Sequence, residues 1–239
     1  MIKLVSYNIR KGKGADGRSA IDMARIGAEL EHLEPNLLTC QEVFHCARGG
    51  APQSDGLAEA FGFPHYYGAN KFRAVGHHGN TTLTSLPVTE HENHDISTNP
   101  VERRGALYVR AEVDGVPLHV FNVHLGLDGY QRSTQLRRIG ALMDEAVAHE
   151  EPVILAGDFN DWRKQLHAHV RKLDLHSVFE HLQRTMPKTW HARRPVLPLD
   201  RIYVRHLEVL DAGILSGAPW TDLSDHLPLW ADLRPSSRP

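Results

Sequence analysis

Cysteine is scarce in this chain. Among 239 residues there are two, Cys40 and Cys46, and their spacing matches neither a zinc motif nor a Cys-x-x-Cys redox pair. That excludes a disulfide-stapled secreted scaffold, and a reducing, cytoplasmic location is expected. Long apolar runs are missing as well. None approaches the ~20 residues needed to span a bilayer. The segment Met1-Ile2-Lys3-Leu4-Val5 is too short in apolar run for a secretory signal and reads as a strand. Charge of one sign is also missing: 27 Lys and Arg stand against 29 Asp and Glu, a formal net charge of -2. This excludes a strongly basic nucleic-acid-coating protein but leaves room for a local basic cleft. Lys11-Gly12-Lys13-Gly14 is Gly-rich yet lacks the Gly-Lys-Ser/Thr ending of a P-loop. No repeat, low-complexity block or interdomain linker interrupts the chain. A single domain over residues 1–234 and a frayed Pro-Ser-Ser-Arg-Pro tail over 235–239 are expected.

What is present is a series of short apolar runs separated by turns and amphipathic stretches. Ile2–Tyr7 reads as a first strand ending at Asn8. Ser19, with Asp22 three residues on, is the expected cap of a helix that Pro35 stops. Leu37–Cys40 reads as a short buried strand ending at Gln41-Glu42, and residues 55–62 as a small helix. Strands are expected at Thr81–Thr84 and around Val88. Leu107–Val113 and Pro117–Val123 read as a hairpin turned at Asp114-Gly115. A long helix follows over residues 129–148, then a strand at Val153–Ala156, short helices over 162–173, and late strands near 202–204, 207–212 and 229–233.

Polar residues recur where these strands end. Asn8 follows the first run, Glu42 the second, and His124 the run Val120-Phe121-Asn122-Val123. Asp158 and Asn160 follow Val153–Ala156 within Gly157-Asp158-Phe159-Asn160, Asp200 opens Asp200-Arg201-Ile202-Tyr203-Val204, and Asp225-His226 precedes Leu227-Pro228-Leu229. Turn and cap chemistry explains any one of these residues alone. Together they are the groups that a rigid scaffold delivers to one rim. Asp can take a proton and Asn can donate to an oxyanion, so the pair suits attack by water on a phosphate or acyl group. Oxygen donors such as Glu42, Asn8 and Asp225 suit a hard cation, Mg2+ in the first place with Mn2+ as a substitute.

In these motifs the chain resembles the endonuclease/exonuclease/phosphatase superfamily. This group includes pancreatic-type deoxyribonucleases, abasic-site endonucleases, neutral sphingomyelinases and inositol-polyphosphate 5-phosphatases. The likeness runs from Ser6-Tyr7-Asn8-Ile9 through Gln41-Glu42-Val43, Gly79-Asn80-Thr81-Thr82-Leu83, Asn122-Val123-His124-Leu125, Gly157-Asp158-Phe159-Asn160 and Leu199-Asp200-Arg201 to Ser224-Asp225-His226-Leu227-Pro228. It implies an α/β (α+β) fold of the deoxyribonuclease I-like type, a four-layer α/β-β/α sandwich with two packed mixed β-sheets. It also implies metal-assisted hydrolysis of a phosphate ester.

By that resemblance Glu42 is the principal metal ligand, helped by Asn8 and Asp225. Asp158 orients or deprotonates the attacking water, and Asn160 donates to a phosphoryl oxygen. His226 contacts the phosphate with Asp200 fixing its ring, and His124 is a second phosphate-facing or acid histidine. His124 departs from the abasic endonucleases and sides with the deoxyribonuclease and sphingomyelinase branches. Asn80 is expected to support the metal site. Arg103, Arg104 and Arg10 are candidate substrate-binding residues, with Lys11 and Lys13 at the entrance. Arg132 and Gln135 are expected to support the site. His77-His78 are expected at the surface, with rim loops as the alternative, and Trp162 and Trp190 as packing residues. The expected activity is divalent-metal-dependent phosphodiester hydrolysis by a monomer, with nucleic acid as substrate and endonuclease or exonuclease action. The alternatives are a phosphatase or phospholipase C-like phosphodiesterase acting on a lipid or small-molecule phosphate ester, and an inactive binding module of the same fold.

Overall fold

The computed structural model describes residues 1–236. In chain order the elements are β1 (Ile2–Asn8), α1 (Met23–Glu31), β2 (Leu37–Cys46), α2 (Gln53–Phe61), β3 (His65–Arg73), β4 (Gly76–Thr84), β5 (Val88–Asp95), β6 (Gly105–Val113) and β7 (Val116–His124). There follow α3 (Gly129–Ala146), β8 (Val153–Asp158), α4 (His167–Lys172), β9 (His176–Ser177), α5 (Val178–His181), β10 (Asp200–Arg205), β11 (Leu207–Ile214), α6 (Trp220–Leu223) and β12 (Leu229–Pro235). They build two six-stranded sheets, in the orders β11-β12-β1-β2-β4-β3 and β5-β6-β7-β8-β10-β9. Both are mixed: β1 runs parallel to β2, β7 runs parallel to β8, and the remaining pairs are antiparallel.

Strand alternation sorts the apolar side chains into three buried layers. Ile2 and Leu4 of β1 face the second sheet, where they meet Ile154, Ala156, Ile202 and Val120. Val5 and Tyr7 face the other way and pack with Met23, Ile26 and Leu30 of α1. Val153 and Leu155 of β8 turn outward onto Leu136, Ile139 and Met143 of α3. Both β1 and β8 are therefore covered on both faces, and the layers run helix, sheet, sheet, helix. This is the four-layer sandwich that the motifs implied.

Local chemistry explains most boundaries. Asp114 (φ 53°) and Gly115 (φ 79°) are both left-handed, as a two-residue hairpin requires, and they bring Val113 opposite Val116. Asp128 caps α3 by accepting from the Tyr130 and Gln131 amides. At α1 the expectation is corrected: the cap is Asp22, which accepts from the Ala24 amide, while Ser19 hydrogen-bonds to Asp16. Strand β2 is also longer than expected and does not end at Gln41-Glu42. It continues to Cys46 through a bulge between Cys40 and Val43. Strand β3 escaped the sequence reading because its partly buried residues give little alternation to detect. Pro235 pairs with Leu207 and the Ser236 amide donates to the His206 carbonyl, so the frayed tail does not begin at 235. Residues 237–239 lie outside the described residues.

Gly157 fixes the path of β8 at the point where the strand delivers Asp158. Its φ is +138°, and a Cβ there would lie 2.0 Å from the Val123 carbonyl oxygen of β7. Gly157→Ala must both strain the backbone and push β8 off β7. We expect a loss of at least about 1–3 kcal/mol, the usual range for a strained backbone position, read from the urea unfolding midpoint.

Candidate active site

The two sheets deliver their polar strand ends to one cleft of about 700 Å³. Glu42, His124, Asp158, Asn160, Asp225 and His226 line it together, although up to 184 residues separate them in sequence. Asp200 and Asn8 lie directly behind, both buried. Each side chain arrives by a definable route. His124 and Asp158 are register partners at the ends of parallel β7 and β8, and Asp200 is the partner of Asp158 at the start of β10. Glu42 sits in the β2 bulge with φ 56°, which turns it out of strand alternation and into the cleft. The loop before β12 is tied to the end of β1 by the Ser224 hydroxyl, which donates to the Asn8 carbonyl at 2.7 Å. His226 follows two residues later.

Hydrogen bonds fix the centre. The Asn8 amide nitrogen donates to Asp158 Oδ2 at 3.1 Å, and the Asn160 backbone N–H donates to Asp158 Oδ1 at 3.0 Å. His226 Nδ1 faces Asp200 Oδ2 at 2.9 Å, while its Nε2 points toward Asp158 Oδ2 at 3.7 Å. His124 Nε2 lies 3.4 Å from the same oxygen. One amide hydrogen of Asn160 is spent on the Leu125 carbonyl at 2.9 Å, which leaves the other for a ligand.

The electrostatics separate the two histidines. Burial alone would push the His226 pKa down. The Asp200 and Asp158 carboxylates outweigh it and raise it to about 10, so His226 is a cation at neutral pH. His124 is pushed well down by burial, and Arg104, His226, Lys11 and His78 add to that, so it is neutral. Burial lifts Asp158 to about 6 and Asp200 adds to the rise, against the opposing pull of His226. A carboxylate tuned toward neutrality suits proton transfer.

The donor set for a cation divides in two. Asp158, Asp200 and His226 each offer a ligand atom within 4.8 Å of one another. Yet His226 Nδ1 and the Asp200 carboxylate already satisfy each other, so these three form a hydrogen-bonded charge pair more than a cage. Glu42 is the freer oxygen donor. Burial opposes its ionisation, but Lys11 beside it holds its pKa below the usual value, and Lys11 Nζ ion-pairs with its Oε2. Glu42 is partly buried, Asn8 ends β1 with its side-chain oxygen accepting from the Arg10 amide at 3.0 Å, and Asp225 comes from the loop before β12; these oxygens suit a hard divalent ion.

Other expected residues fall in different places. Asp225 lines the cleft, but its carboxylate is shared by Arg10 Nε at 3.2 Å and Trp190 Nε1 at 3.4 Å. Arg10 also donates to the Gly14 and Ala15 carbonyls, so it props Asp225 and the 10–15 loop and is absent from the cleft lining. Arg104 lines the cleft while bonded to Glu102 at 2.7 Å; Arg103 is exposed in a neighbouring depression. Asn80 is buried between the sheets and donates to the Gly105 and Asn122 carbonyls, which makes it a tie between sheets. Arg132 holds the Leu127 carbonyl and Gln165, and Gln135 accepts from the Gly126 amide, so both brace the loops around the cleft. Sequence reasoning undervalued His78 and Trp190, which line the cleft wall. Strand β4 carries His78, and recognising that β4 starts at Gly76 would have pointed to it.

A sequence profile of the Endonuclease/Exonuclease/phosphatase family matches residues 5–226. The chain belongs to that family. Its members hydrolyse phosphoester bonds. Among relatives, "Uncharacterized protein YbhP" of Escherichia coli strain K12 is 33% identical over 243 residues, covering 97% of this chain and 95% of that protein. Among solved structures, an endonuclease/exonuclease/phosphatase from Beutenbergia cavernae superposes with TM-score 0.82 at 19% identity, covering 98% of this chain and 72% of that one. The mannosyl-6-phosphatase Bt3783 of Bacteroides thetaiotaomicron superposes with TM-score 0.75 at 18% identity, covering 98% of this chain and all of that one (100%). At these identities the superpositions establish a shared fold.

The charge on His226 depends on Asp200. In Asp200→Asn the imidazole keeps a hydrogen-bonding neighbour but loses the anion at Nδ1. Its pKa is expected to fall from about 10 toward 6.5 or below, followed by NMR titration of the His226 ring.

Proposed function

We propose that this protein is a Mg2+-dependent phosphodiester hydrolase that acts as a monomer through a single catalytic domain running from β1 through β12. The observation that carries the reading is Asp158. It is a buried carboxylate tuned to about 6, it sits between a neutral and a cationic histidine, and it shares a cleft with Glu42. Glu42 would hold the ion, with Asn8 and Asp225 contributing oxygens. Mn2+ has the same preference for oxygen ligands and would substitute. When bound, the ion polarises a phosphoryl oxygen and offsets the negative charge that develops there.

The chain's own groups do the rest. Asp158 accepts a proton from the attacking water. Asn8 and the Asn160 backbone amide hold that carboxylate in place from two sides. The free Asn160 amide hydrogen and the His226 Nε2–H donate to phosphoryl oxygens. Asp200 locks the His226 ring and keeps its proton on. Neutral His124 is left as a hydrogen-bond partner inside the cleft and is not a second cation. A preorganised set of donors of this kind needs no rearrangement as charge develops.

Two substrate classes are compatible with the lining of the cleft. Lys11, Lys13, Lys71, Arg73 and Arg104 line it, which favours nucleic acid and nuclease action. Leu127, Trp162, Trp190, Leu197 and Leu199 line it as well, which favours a phosphate ester bearing an apolar group. We favour the second reading, because two of the cations are already paired, Lys11 with Glu42 and Arg104 with Glu102, whereas Leu127 and Trp162 stand exposed.

Chelation with EDTA is expected to abolish diester turnover, and added Mg2+ or Mn2+ to restore it. Asp158→Asn should lower kcat by about 10²–10⁴, the range for a lost general base, in protein that keeps its native circular-dichroism spectrum at the assay temperature. Glu42→Ala should chiefly raise the Mg2+ concentration needed for half-maximal rate. Full activity in Asp158→Asn would sink the assignment. A panel of plasmid DNA, RNA and phospholipid substrates separates the two classes; cleavage of nucleic acid alone would reverse the preference.

A further inference from the structure

The rim of the cleft carries apolar side chains that no core accounts for. Phe72, Val75, Val101, Leu127 and Trp162 are exposed, from 46% for Trp162 to 84% for Val101. Val75, Leu127 and Trp162 line the catalytic cleft itself. Phe72 and Val101 line a shallow depression beside it, and Lys71 and Arg73 belong to both hollows. The five residues therefore line two adjoining hollows that share Lys71 and Arg73. Single exposed apolar residues are ordinary; a group around a functional opening marks an interaction surface.

Cations are interleaved with them. Lys13, Lys71 and Arg73 line the same mouth, Arg103 lines the depression, and the Arg163 guanidinium lies 4.2 Å over the Trp162 ring. The chain as a whole has a net charge of -2, so this basic character is local. Apolar side chains ringed by Lys and Arg match the boundary of an anionic bilayer. Aliphatic groups enter the acyl region, an aromatic ring rests at the headgroups, and the cations meet lipid phosphates. Phe72 and Trp162 offer faces on which a base can stack, but Val75, Val101 and Leu127 offer none, and three exposed aliphatic side chains suit acyl chains better than bases.

We propose that this rim docks the protein onto the surface of an anionic phospholipid bilayer, with the cleft turned toward the headgroups. Docking is peripheral: no helix among the described residues is long and apolar enough to cross a membrane. The inference rests on the reading of the substrate as an ester with an apolar group, and it names the surface that presents such an ester.

The test is co-sedimentation of the full chain with vesicles of phosphatidylcholine alone or mixed equally with phosphatidylglycerol. Turnover of soluble bis(p-nitrophenyl) phosphate is measured in parallel. Phe72→Ser/Val101→Ser is the informative variant, since neither residue lines the catalytic cleft. The wild type should sediment with the phosphatidylglycerol vesicles, less so as salt rises. The double variant should bind at least about tenfold more weakly with soluble turnover unchanged. A wild type left in the supernatant, or a double variant that binds equally well, overturns the proposal. So does a variant that loses affinity for a single-stranded oligonucleotide while keeping its affinity for vesicles. Vesicle binding without any diester turnover in the wild type would support the docking surface and overturn the hydrolase reading instead.

Discussion

The cationic His226 held between Asp200 and Asp158 is the interaction on which the rest of the site depends. The three groups are buried, and they come from both sheets. Asp158 and Asp200 stand at the ends of β8 and β10, and His226 enters on the loop before β12. An imidazolium in such a place is tolerable only while its carboxylate partners surround it, and removing one partner of a buried pair costs about 3–5 kcal/mol in known cases. The pair therefore works as a clasp between the sheets at the rim where chemistry is needed. It also sets the division of labour: the proton stays on His226, and Asp158 and His124 are left poised near or below neutrality.

Behind the clasp lies a polar seam that replaces the apolar core between the sheets. Gln41 donates to the Asn122 side chain at 2.8 Å, and Asn122 in turn donates to the Thr81 and Cys40 carbonyls. Asn80 closes the seam by donating to the Gly105 and Asn122 carbonyls. Further from the rim the same interface is Leu4, Leu37, Ile154 and Ile202. Buried amides cost free energy unless their donors and acceptors are met. Hydrogen bonds at fixed angles also hold register more strictly than methyl packing does. The seam thus carries the exactness of the strand ends into the site, and this gives Asn80 a reason to stand in its motif without touching a ligand.

Much of this was legible in the amino-acid order. Asp114-Gly115 announced its hairpin because both residues tolerate positive φ. The apolar run before Gly157 announced a buried strand because nothing else absorbs Val-Ile-Leu-Ala so economically. Less legible was β3, whose half-buried residues leave no strong period, and the bulge in β2, which breaks alternation at the residue that matters. A bulge is a relation between two strands, so Glu42 looked like the end of a strand when it is a kink within one. The place of Arg10 was illegible for a similar reason, since Asp225 and two loop carbonyls claim it. A positive charge near a motif says nothing about which carboxylate, carbonyl or solvent face will claim it.

By itself, the sequence determined which groups exist and where each strand would release them: an Asp and Asn after one run, a His after another, an Asp-His pair before the last. Those choices follow from local hydrophobic pattern and turn chemistry, which neighbouring residues decide. Only the tertiary structure decided that His226 is charged and His124 neutral. Burial acts equally on both, and the difference lies in Asp200, which is 26 residues away from His226 in the chain and 2.9 Å away in space. It also decided that Phe72, Val101 and Leu127 would be exposed on two adjoining hollows. In the sequence they are single apolar residues among polar neighbours; the meeting of the end of β3 with loops of the second sheet makes them a surface.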